Sequence, residues 1–345
     1  ISSFNSMNDI SGIGLKAVIF YLLSSLAAII IGIFVVNLIQ PGLINGEGAS
    51  DLVGLNSNVK LDTLMNSQDS YSISSFLLNI FSGNIFLSIA NGNMLFIIIF
   101  SAAFGLAIRS SKSKNTKVIK DFWEGVYFVF LKIMRYILFF MPYGVFCLVV
   151  KTTIDFSPES YIILSKFFLT VTLGLFIHLM VFYPLVLYLF KIKIINHFVG
   201  MSSALLVAFS SSSSVATIPV TTKCLIEDLN YKEDRVNFII PLGATINMDG
   251  TALFECVAVI FIAQLYGVDL SYIDQLLVLS LALITSIGVA GIPSASFVAI
   301  IVILSTVGLP LEAVGIILGI DRILDMMRTS VNVFGDSCCV SVVGK

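Results

Sequence analysis

Apolar residues occur in long stretches that polar residues rarely interrupt. Residues 17–39, 167–190 and 238–264 are predominantly apolar, and each stretch reaches the ~20 residues that an α-helix needs to cross a bilayer. Transmembrane β-strands would instead show segments of about ten residues with strict polar and apolar alternation, a pattern that is not found in this sequence. The chain is therefore predicted to be an all-α polytopic membrane protein.

Composition supports this fold class. Hydrophobic residues make up 57% of the chain and charged residues 12%, against roughly 25% charged residues in soluble domains. The formal net charge is −2, so no basic patch of the kind that nucleic acid requires is expected. The five cysteines form no C-x-x-C pair and lie mostly in apolar stretches, where they serve as small packing residues. Membrane lipid, and not nucleic acid, is the expected partner.

Lysine and arginine positions predict which loops face the cytoplasm. These residues cluster at 109–120, at 191–193 and at 223–235, and such clusters mark cytoplasmic loops. Two apolar spans separate the first two clusters, but only the stretch 198–225 separates the second from the third. A simple span would carry the chain to the opposite side, so this stretch is predicted to enter the membrane and return.

The centre of this stretch has the composition of a re-entrant tip. It reads AFSSSSSVATIPVTT, with five consecutive serines at 210–214 followed by Pro219. Serine hydroxyls bond freed backbone groups and proline breaks the helix, so irregular backbone is tolerated where it lines a cavity. A flexible serine-rich linker is the alternative, but linkers are not embedded between apolar arms such as MSSALLVAF and IPVTTKCLI.

A second break, TSIGVAGIPSAS at 285–296, interrupts another apolar stretch. Its flanking loops carry Asp269, Asp274 and Glu312 but no lysine or arginine, which predicts entry from the outer side. Two hairpins of opposite orientation indicate inverted repeats, and broken helices at matching positions of such repeats mark the substrate site of a transporter.

The last helix carries a polar stripe within an apolar sequence. At about 100° per residue, its polar side chains fall within roughly 100° of one another. Each charged group at a helix centre costs about 2.5 to 3.5 kcal/mol to insert, so these groups must meet water, ions, ligand or one another. The stripe consists of Asp321, Asp325, Arg328, Thr329, Asn332 and Asp336.

Arg328 and Asp325 together indicate a ligand that carries both charges. An arginine fork suits a carboxylate, and a neighbouring carboxylate suits an ammonium group, so an amino acid fits both. The alternative is an ion pair at i,i+3 that only joins helices. That alternative gives no role to Asp321, Asp336 and Asp249.

Several motifs occur together and in the order of one known family. NMDGT at 247–251, the serine-rich hairpin, SIGVAGIP at 286–293 and DRILDMMRTSVNVFGD at 321–336 resemble the dicarboxylate/amino acid:cation symporters, the family of glutamate and aspartate transporters. The resemblance is to a bacterial-type member. FYLLSS at 20–25 resembles the third transmembrane helix of the family, so two further helices are expected to precede this chain.

The resemblance implies a glutamate-transporter-type fold in two parts. Residues 1–193 would be mainly scaffold and trimerisation helices, the third to sixth transmembrane helices of the family. Residues 194–345 would be the transport core. That core is expected to contain hairpin 1 at about 198–225, helix 7 at about 236–266, hairpin 2 at about 273–305 and helix 8 at about 312–343.

The resemblance further implies secondary active symport and no enzyme activity. The expected function is import of L-glutamate or L-aspartate, coupled to sodium or proton gradients by an elevator-like alternating-access movement. A multi-pass homotrimer in the inner or plasma membrane is expected, with co-transported ions and no other cofactor.

Three rival functions are weighed against this expectation. A C4-dicarboxylate:cation symporter of the same family is the main alternative, and Asp325 disfavours it because such substrates lack an ammonium group. A carrier of neutral amino acids would leave the charge of Arg328 unpaired. An intramembrane aspartyl protease would show a GxGD-type motif, whereas this chain has NMDGT.

The family pattern places the substrate between the two hairpin tips. Arg328 would hold the side-chain carboxylate and Asp325 the amino group. The remaining substrate contacts would come from polar side chains and hairpin backbones, namely Ser213, Ser214, Thr251, Ile292, Ser296, Thr329 and Asn332.

The family pattern also implies three sodium sites, because sodium prefers hard oxygen ligands. The first would consist of Asp336, Asn332 and the carbonyls of Gly243 and Asn247. The second would consist of the carbonyls of Thr245, Ser286, Ile287 and Val289. The third would consist of Asp249 with Tyr21, Ser24, Ser25 and Asn247, and Met248 would lie between the substrate and the ions.

Glu255 needs a separate account, since it lies six residues and about 240° around the helix from Asp249. Burial without a cationic partner favours the neutral, protonated carboxyl, and a glutamate here resembles the proton-coupled branch of the family. Glu255 is therefore expected to carry a proton. The alternative is a neutral acid that is hydrogen-bonded for packing only.

The chain departs from the family pattern near the expected site. Phe254 replaces the tyrosine of potassium-exchanging relatives, which argues against potassium countertransport. An arginine that relatives place in hairpin 1 or shortly before the last-helix arginine is absent, because Ser212 and Met326 stand there. His178 and His197 lie in or just after an apolar span, and no partner or role is predicted for either.

Overall fold

The computed structural model describes residues 10–50, 158–288 and 296–343, together with residue 52 and parts of 100–143. Two of the predicted site residues, Val289 and Ile292, lie outside the described residues. The chain divides into two compact units. One comprises Ile1–Met7 and Leu61–Ile154, and the other comprises Asn8–Lys60 and Asp155–Lys345.

In the unit of Ile1–Met7 and Leu61–Ile154, the described residues from 100 to 110 and from 116 to 143 are helical. The ring of Trp123 lies edge-on to the rings of Phe104 and Phe122, with centroids 6.3 and 5.6 Å apart. Such edge-to-face geometry is a favourable arrangement for packed aromatic rings. None of the predicted site residues belongs to this unit.

The other unit begins with a π-helical turn, Ile10–Gly14, that leads into helix α1, Leu15–Ile39. α1 ends at Gln40, which adopts the left-handed conformation with φ of 49° and so stops the helix. A short antiparallel hairpin follows, with strands β1, Leu43–Ile44, and β2, Glu47–Gly48. The remaining regular structure in the described part of the chain is helical.

The next long helix changes its winding in the middle. α2, Pro158–Ile177, runs into a π-helical turn, His178–Phe182, and continues as α3, Tyr183–Leu189. A proline in the first turn of α3 has no N–H to donate to the preceding turn, which accounts for the wider winding. The first residues of the π turn and of α3, His178 and Tyr183, are both fully buried.

The serine-rich segment forms the turn between two packed helices. α4, Ile194–Ser211, and α5, Ser214–Lys223, contact each other along their length. Ser212 ends α4 in the left-handed conformation with φ of 51°, and the Ser213 hydroxyl caps α5 by accepting the N–H of Ala216 at 3.2 Å. Capping by serine is a local signal, which is why the sequence indicates this turn.

A break divides the segment in which the sequence predicts one helix at about 236–266. α6, Glu233–Ile246, and α7, Asp249–Leu265, are separated by two residues in non-helical conformations. Asn247 has φ of −89° and ψ of 95°, and Met248 has φ of −121° and ψ of 48°. The first amides of α7 are therefore left without helical partners, and the site described below supplies one.

The chain is completed by two shorter apolar helices and one long helix. α8 is Tyr272–Gly288 and α9 is Ser296–Val307, and these two helices pack against each other. A 3₁₀ turn, Leu311–Ala313, leads into α10, Val314–Val343.

α7 lies at the centre of this unit. Nearly all of its residues are buried, and it contacts α1, α2, α8, α9 and α10. Four stretches of the described chain are long and apolar enough to cross a membrane: Gly12–Ile39, Ser160–Leu189, Ile194–Ser211 and Glu233–Leu265. The protein is thus a mostly helical membrane protein. The buried charged residues that the structure describes lie on α7 and α10, whereas Arg322 of α10 is exposed.

Candidate functional site

The polar stripe of α10 is buried, and its charges meet one another. Nη2 of Arg328 donates hydrogen bonds to Oδ1 of Asp321 at 2.7 Å and to Oδ1 of Asp325 at 2.8 Å. Both carboxylates belong to α10 itself, so this ion pair does not join two helices. The guanidinium carbon lies 3.8 Å from the ring centroid of Phe254 on α7, a cation–π distance.

The guanidinium of Arg328 is incompletely satisfied. It is fully buried, and its Nε and Nη1 atoms have no hydrogen-bond partner among the described residues. A buried donor without a partner costs about 1–3 kcal/mol, and more when the group is charged. Carboxylates are the acceptors that match a guanidinium best, so this edge of Arg328 is suited to an anionic ligand.

The ring that faces Arg328 also contacts rings of two further helices. Phe254 lies edge-on to Phe297 of α9, with centroids 6.4 Å apart, and near Phe167 of α2 at 6.2 Å. The neighbour of Phe297, Ser296, has a buried hydroxyl without a partner in the described part of the chain. The start of α9 therefore lies near the ring of Phe254 that covers Arg328.

Asn332 of α10 forms hydrogen bonds at the break between α6 and α7. Its Oδ1 accepts the N–H of Gly250 at 2.8 Å, and its Nδ2 lies 3.4 Å from Thr251 Oγ1 and 3.4 Å from Met248 Sδ. A Cβ at Gly250 would come within 2.8 Å of the carbonyl oxygen of Arg328. The close approach of the two helices thus requires glycine there, and one free amide of α7 finds its acceptor on α10.

A second cluster of oxygens surrounds Asp336. Nδ2 of Asn247 donates to Asp336 Oδ1 at 2.9 Å and to the carbonyl of Asn332 at 3.3 Å. A Cβ at Gly243 would collide with both the Asp336 carboxylate and the Tyr21 hydroxyl, so these groups converge on the glycine. The Oδ1 atom of Asn247 is buried and has no partner within the described residues.

Asp249, the first residue of α7, has a different set of partners from the predicted one. Its carboxylate accepts hydrogen bonds from the hydroxyls of Ser24, Ser25 and Tyr183, with Ser25 at 2.6 Å from Oδ1. Nε2 of His178 lies 3.3 Å from Oδ2. Both serines of the predicted sodium site contact Asp249, and His178 and Tyr183 are additional partners.

Tyr21 and the two histidines differ from the sequence-based expectation. The Tyr21 hydroxyl donates to the carbonyl of Ile239 at 3.3 Å and lies by Asp336, not by Asp249. Predicting no partner for the histidines was wrong, because a buried imidazole must find partners. His178 contacts Asp249.

His197 of α4 joins that helix to the end of α10. Its Nε2 lies 2.9 Å from Ser337 Oγ, and its Nδ1 lies 3.3 Å from Ser341 Oγ. Both ring nitrogens therefore have partners. A single polar residue in an apolar stretch offers no periodic signal from which these contacts could be predicted.

The residues of the second predicted sodium site are spread over α6 and α8. The Thr245 hydroxyl bonds the carbonyl of Leu242 at 2.8 Å, and the Ser286 hydroxyl bonds the carbonyl of Leu283 at 3.1 Å. Ile287 is 39% exposed. These side-chain bonds stay within each helix, and α6 and α8 pack against each other.

The helix pair α4 and α5 approaches the stripe through α5. Ser214 is buried at the start of α5, directly after the capping residue Ser213, and α5 packs against α10. Thr329, beside Arg328 on α10, is also buried. The structure therefore gathers Ser214 and Thr329 on neighbouring elements of one interior.

Glu255 of α7 follows Phe254 and is fully buried. Its Oε2 accepts a hydrogen bond from Thr285 of α8 at 2.9 Å, and its Oε1 has no partner among the residues described. A buried carboxylate with one donor is poorly stabilised as an anion. This environment suits a carboxyl group that holds a proton.

The chain was compared with known proteins. The model of the sodium:dicarboxylate symporter family matches residues 1–345. The proton/sodium-glutamate symport protein of Geobacillus stearothermophilus is 34% identical over 348 residues, which cover 100% of this chain and 81% of the relative. The proton/glutamate-aspartate symporter of Escherichia coli (strain K12) is 32% identical over 346 residues, covering 100% of this chain and 78% of the relative.

A human relative is similar to nearly the same extent. Excitatory amino acid transporter 3 of Homo sapiens is 34% identical over 383 residues, which cover 98% of this chain and 73% of the relative. These matches confirm the predicted family of secondary transporters and the prediction that the protein is not an enzyme. The chain belongs to the sodium:dicarboxylate symporter family.

Proposed function

We propose that the protein is a secondary active symporter that imports acidic amino acids, L-glutamate or L-aspartate, together with sodium ions or protons. The observation that carries this proposal is the buried guanidinium of Arg328, which binds two carboxylates through Nη2 and leaves Nε and Nη1 without partners in the described structure. The names of two relatives, a glutamate symport protein and a glutamate-aspartate symporter, support the same substrate class.

Arg328 is proposed to bind the side-chain carboxylate of the substrate. The ring of Phe254 covers one face of the guanidinium, so an anion reaches it through its remaining N–H groups. In a buried site these charge-assisted bonds are stronger than neutral ones. The other substrate contacts are proposed to come from side chains near the stripe and from the hairpin tips: Ser213, Ser214, Thr251, Ile292, Ser296, Thr329 and Asn332.

Asp325 is proposed to bind the amino group. It is 7% exposed, whereas Asp321 is 1% exposed, so Asp325 is the carboxylate nearer to solvent and to an entering ligand. An ammonium group bound beside Asp325 would place a positive charge next to this carboxylate, which itself lies next to Arg328. A C4-dicarboxylate would place no positive charge there, which is why an amino acid is the preferred substrate.

The charge balance of the interior supports coupling to cations. The described residues bury five carboxyl groups and one guanidinium, that of Arg328; the carboxyl groups belong to Asp249, Glu255, Asp321, Asp325 and Asp336. An acidic amino acid adds one more negative charge. Buried charges without partners are costly, so cations or protons that enter with the substrate would lower the cost of binding it.

Sodium is proposed to bind beside Asp336. Carboxylate and hydroxyl oxygens of Asp336 and Tyr21 converge near Gly243. Asn247 donates through Nδ2 to the same carboxylate, and its Oδ1 atom is buried without a described partner. Oxygen ligands of this kind suit a hard cation. Asn332 and the carbonyl of Gly243 would complete the site, and the carbonyl site on α6 and α8 is retained as a proposal.

Glu255 is proposed to carry a proton. Its single described hydrogen bond, from Thr285, links α8 to the central helix α7. Proton release would leave a bare carboxylate oxygen in an apolar interior, so protonation would accompany the loaded, closed form. Sodium coupling and proton coupling are compatible, because Asp336 and Glu255 lie in separate clusters.

The transport movement is proposed to follow the fold class inferred from the sequence. α4 with α5 and α8 with α9 would be re-entrant hairpins that enter from opposite sides as parts of inverted repeats. The elements packed on α7 would move as one body between the two faces of the plasma membrane, within a homotrimer surrounded by lipid. The sequence-based division places α1 among the scaffold helices; we propose instead that α1 belongs to the moving body, because Ser24 and Ser25 bind Asp249.

Uptake into proteoliposomes tests the proposed function. Labelled L-aspartate, L-glutamate and succinate are supplied under an imposed sodium gradient, and then under a proton gradient alone. Accumulation of the amino acids under either gradient, with loss in Arg328→Ala, is expected. Accumulation of succinate without uptake of either amino acid would show that the protein is a C4-dicarboxylate carrier instead.

A further inference from the structure

Asp249 accepts four hydrogen bonds, and two of them come from residues outside the predicted sodium site. Ser24 and Ser25 donate through their hydroxyls. Tyr183 donates its phenol hydroxyl to Oδ2, and Nε2 of His178 lies 3.3 Å from the same oxygen. An ionised carboxylate offers about four lone-pair positions for hydrogen bonds, so these four donors occupy all of them. A cation at Asp249 would have to displace at least one of them.

The phenol hydroxyl contacts a second residue of the predicted sodium site. The Tyr183 hydroxyl lies 3.2 Å from Ser24 Oγ as well as against Asp249. A Cβ at Gly335 would collide with this hydroxyl and would lie 2.8 Å from Asn247 Nδ2. The hydroxyl and the amide nitrogen thus both lie close to Gly335, and Asn247 presents a donor, not an oxygen ligand, to this space.

The geometry of these donors is fixed by aromatic packing. The ring of His178 stacks on Phe182 with centroids 4.7 Å apart and an interplanar angle of 11°, and it meets the ring of Tyr183 edge-on at 4.7 Å. Tyr183 also packs edge-on against Phe334 of α10 at 5.6 Å. The π turn and α3 therefore hold both donors rigidly over the carboxylate.

The position of Asp249 further reduces the need for an ion. It is the first residue of α7, a helix of 17 residues, so it lies at the positive end of the helix dipole, where a carboxylate is stabilised. Four donors and a helix N-terminus together provide the positive potential that a bound cation would supply.

We propose that Tyr183 and His178 take the place of a sodium ion at Asp249. Asp249 is then a fixed polar joint between α1, α3 and α7, and the protein moves one sodium ion fewer per amino acid than the three predicted sites would allow. The inference rests on the proposed function, because it sets the ion count of that transport cycle. Tyr183 is the residue that determines this count.

The test compares sodium movement in the wild type and in Tyr183→Phe. Removing the hydroxyl frees one acceptor position on Asp249 and opens the space beside Asn247. In proteoliposomes the ratio of ²²Na⁺ to labelled aspartate influx is expected to rise by about one ion per substrate. Tyr188→Phe is the matched control, since Tyr188 lies on the same helix α3 and is 71% exposed; its ratio is expected to equal that of the wild type.

Equilibrium binding of ²²Na⁺ to the purified protein without substrate gives a readout independent of transport. Tyr183→Phe is expected to bind one sodium ion more than the wild type, and the double variant Tyr183→Phe/Asp249→Asn is expected to lose that additional ion. Asp249→Asn alone is expected to bind as many sodium ions as the wild type. An equal count in wild type and Tyr183→Phe, or a wild type that loses one ion with Asp249→Asn, would overturn the inference. Absence of amino-acid uptake by the wild type would contradict the proposed function instead.

Discussion

Replacing Asp325 with asparagine tests whether this carboxylate receives the amino group of the substrate. Asp325 and Asp321 share Nη2 of Arg328 at 2.8 and 2.7 Å. Asparagine keeps an oxygen at the position that accepts from Arg328, and Asp321 still balances the guanidinium. The edge of Arg328 that is proposed to bind a carboxylate is therefore unchanged, and only the negative charge opposite the ammonium group is lost.

The expected size of the effect follows from burial. Asp325 is 7% exposed, so little water replaces the lost charge. Truncating one partner of a buried charge pair costs about 2–5 kcal/mol, and 1.4 kcal/mol corresponds to a tenfold change in affinity. Because asparagine retains a hydrogen-bond acceptor, the low end applies, and Asp325→Asn is expected to weaken L-aspartate binding roughly 30- to 100-fold.

The assay compares the affinities of two ligands, so that a loss of selectivity can be distinguished from a general loss of binding. The apparent affinities of L-aspartate and of succinate, which has two carboxylates and no ammonium group, are measured in the same proteoliposomes. Succinate affinity is expected to stay within about threefold of the wild type. Asp234→Asn, an exposed acid in the first turn of α6, is the control. Equal weakening of both ligands would refute the reasoning, since it would place the loss at Arg328.

Three further predictions concern other parts of the interior. Glu255→Gln mimics the protonated carboxyl permanently, so uptake driven by a proton gradient is expected to disappear while sodium-dependent aspartate exchange persists; proton-driven uptake at the wild-type rate would contradict this role. Gly335→Ala would force a Cβ against Tyr183 and Asn247, a strain of about 1–3 kcal/mol, so the melting temperature is expected to fall by a few degrees in thermal unfolding. Ser213→Ala removes the cap of α5 and is expected to destabilise that helix start by about 0.5–2 kcal/mol; unchanged hydrogen exchange of the first amides of α5 would count against it.

The charged part of the site could be predicted because it violates the apolar pattern. Arg328 and Asp325 stand in a helix that is otherwise suited to a membrane, and each charge there requires a partner. The structure buries them together. The ring of Phe254 covers the guanidinium. This contact could not be predicted in the same way, since nothing in the sequence distinguishes a phenylalanine in an apolar stretch from the apolar residues around it.

The partners of Asp249 depend on tertiary packing and have no local signal. His178 and Tyr183 are isolated polar residues in apolar sequence, and the π turn alone brings both onto one carboxylate. The break after α6 is likewise non-local, because Asn332 of α10 supplies the acceptor for Gly250. The turn between α4 and α5, by contrast, can be predicted from its serines, which end one helix and cap the next by local bonds.

The central claim is that the buried edge of Arg328 binds the side-chain carboxylate of an amino acid. Equilibrium binding of L-aspartate and of L-serine to the purified protein, in the presence of sodium, tests it most directly when the wild type is compared with Arg328→Ala. The account predicts that L-aspartate binding weakens at least about 100-fold, because two charge-assisted hydrogen bonds are lost. L-serine, which leaves the wild-type arginine unpaired, is expected to bind Arg328→Ala at least as tightly as the wild type, which shows that the site is intact. Unchanged L-aspartate binding, or an equal loss for both amino acids, would contradict it.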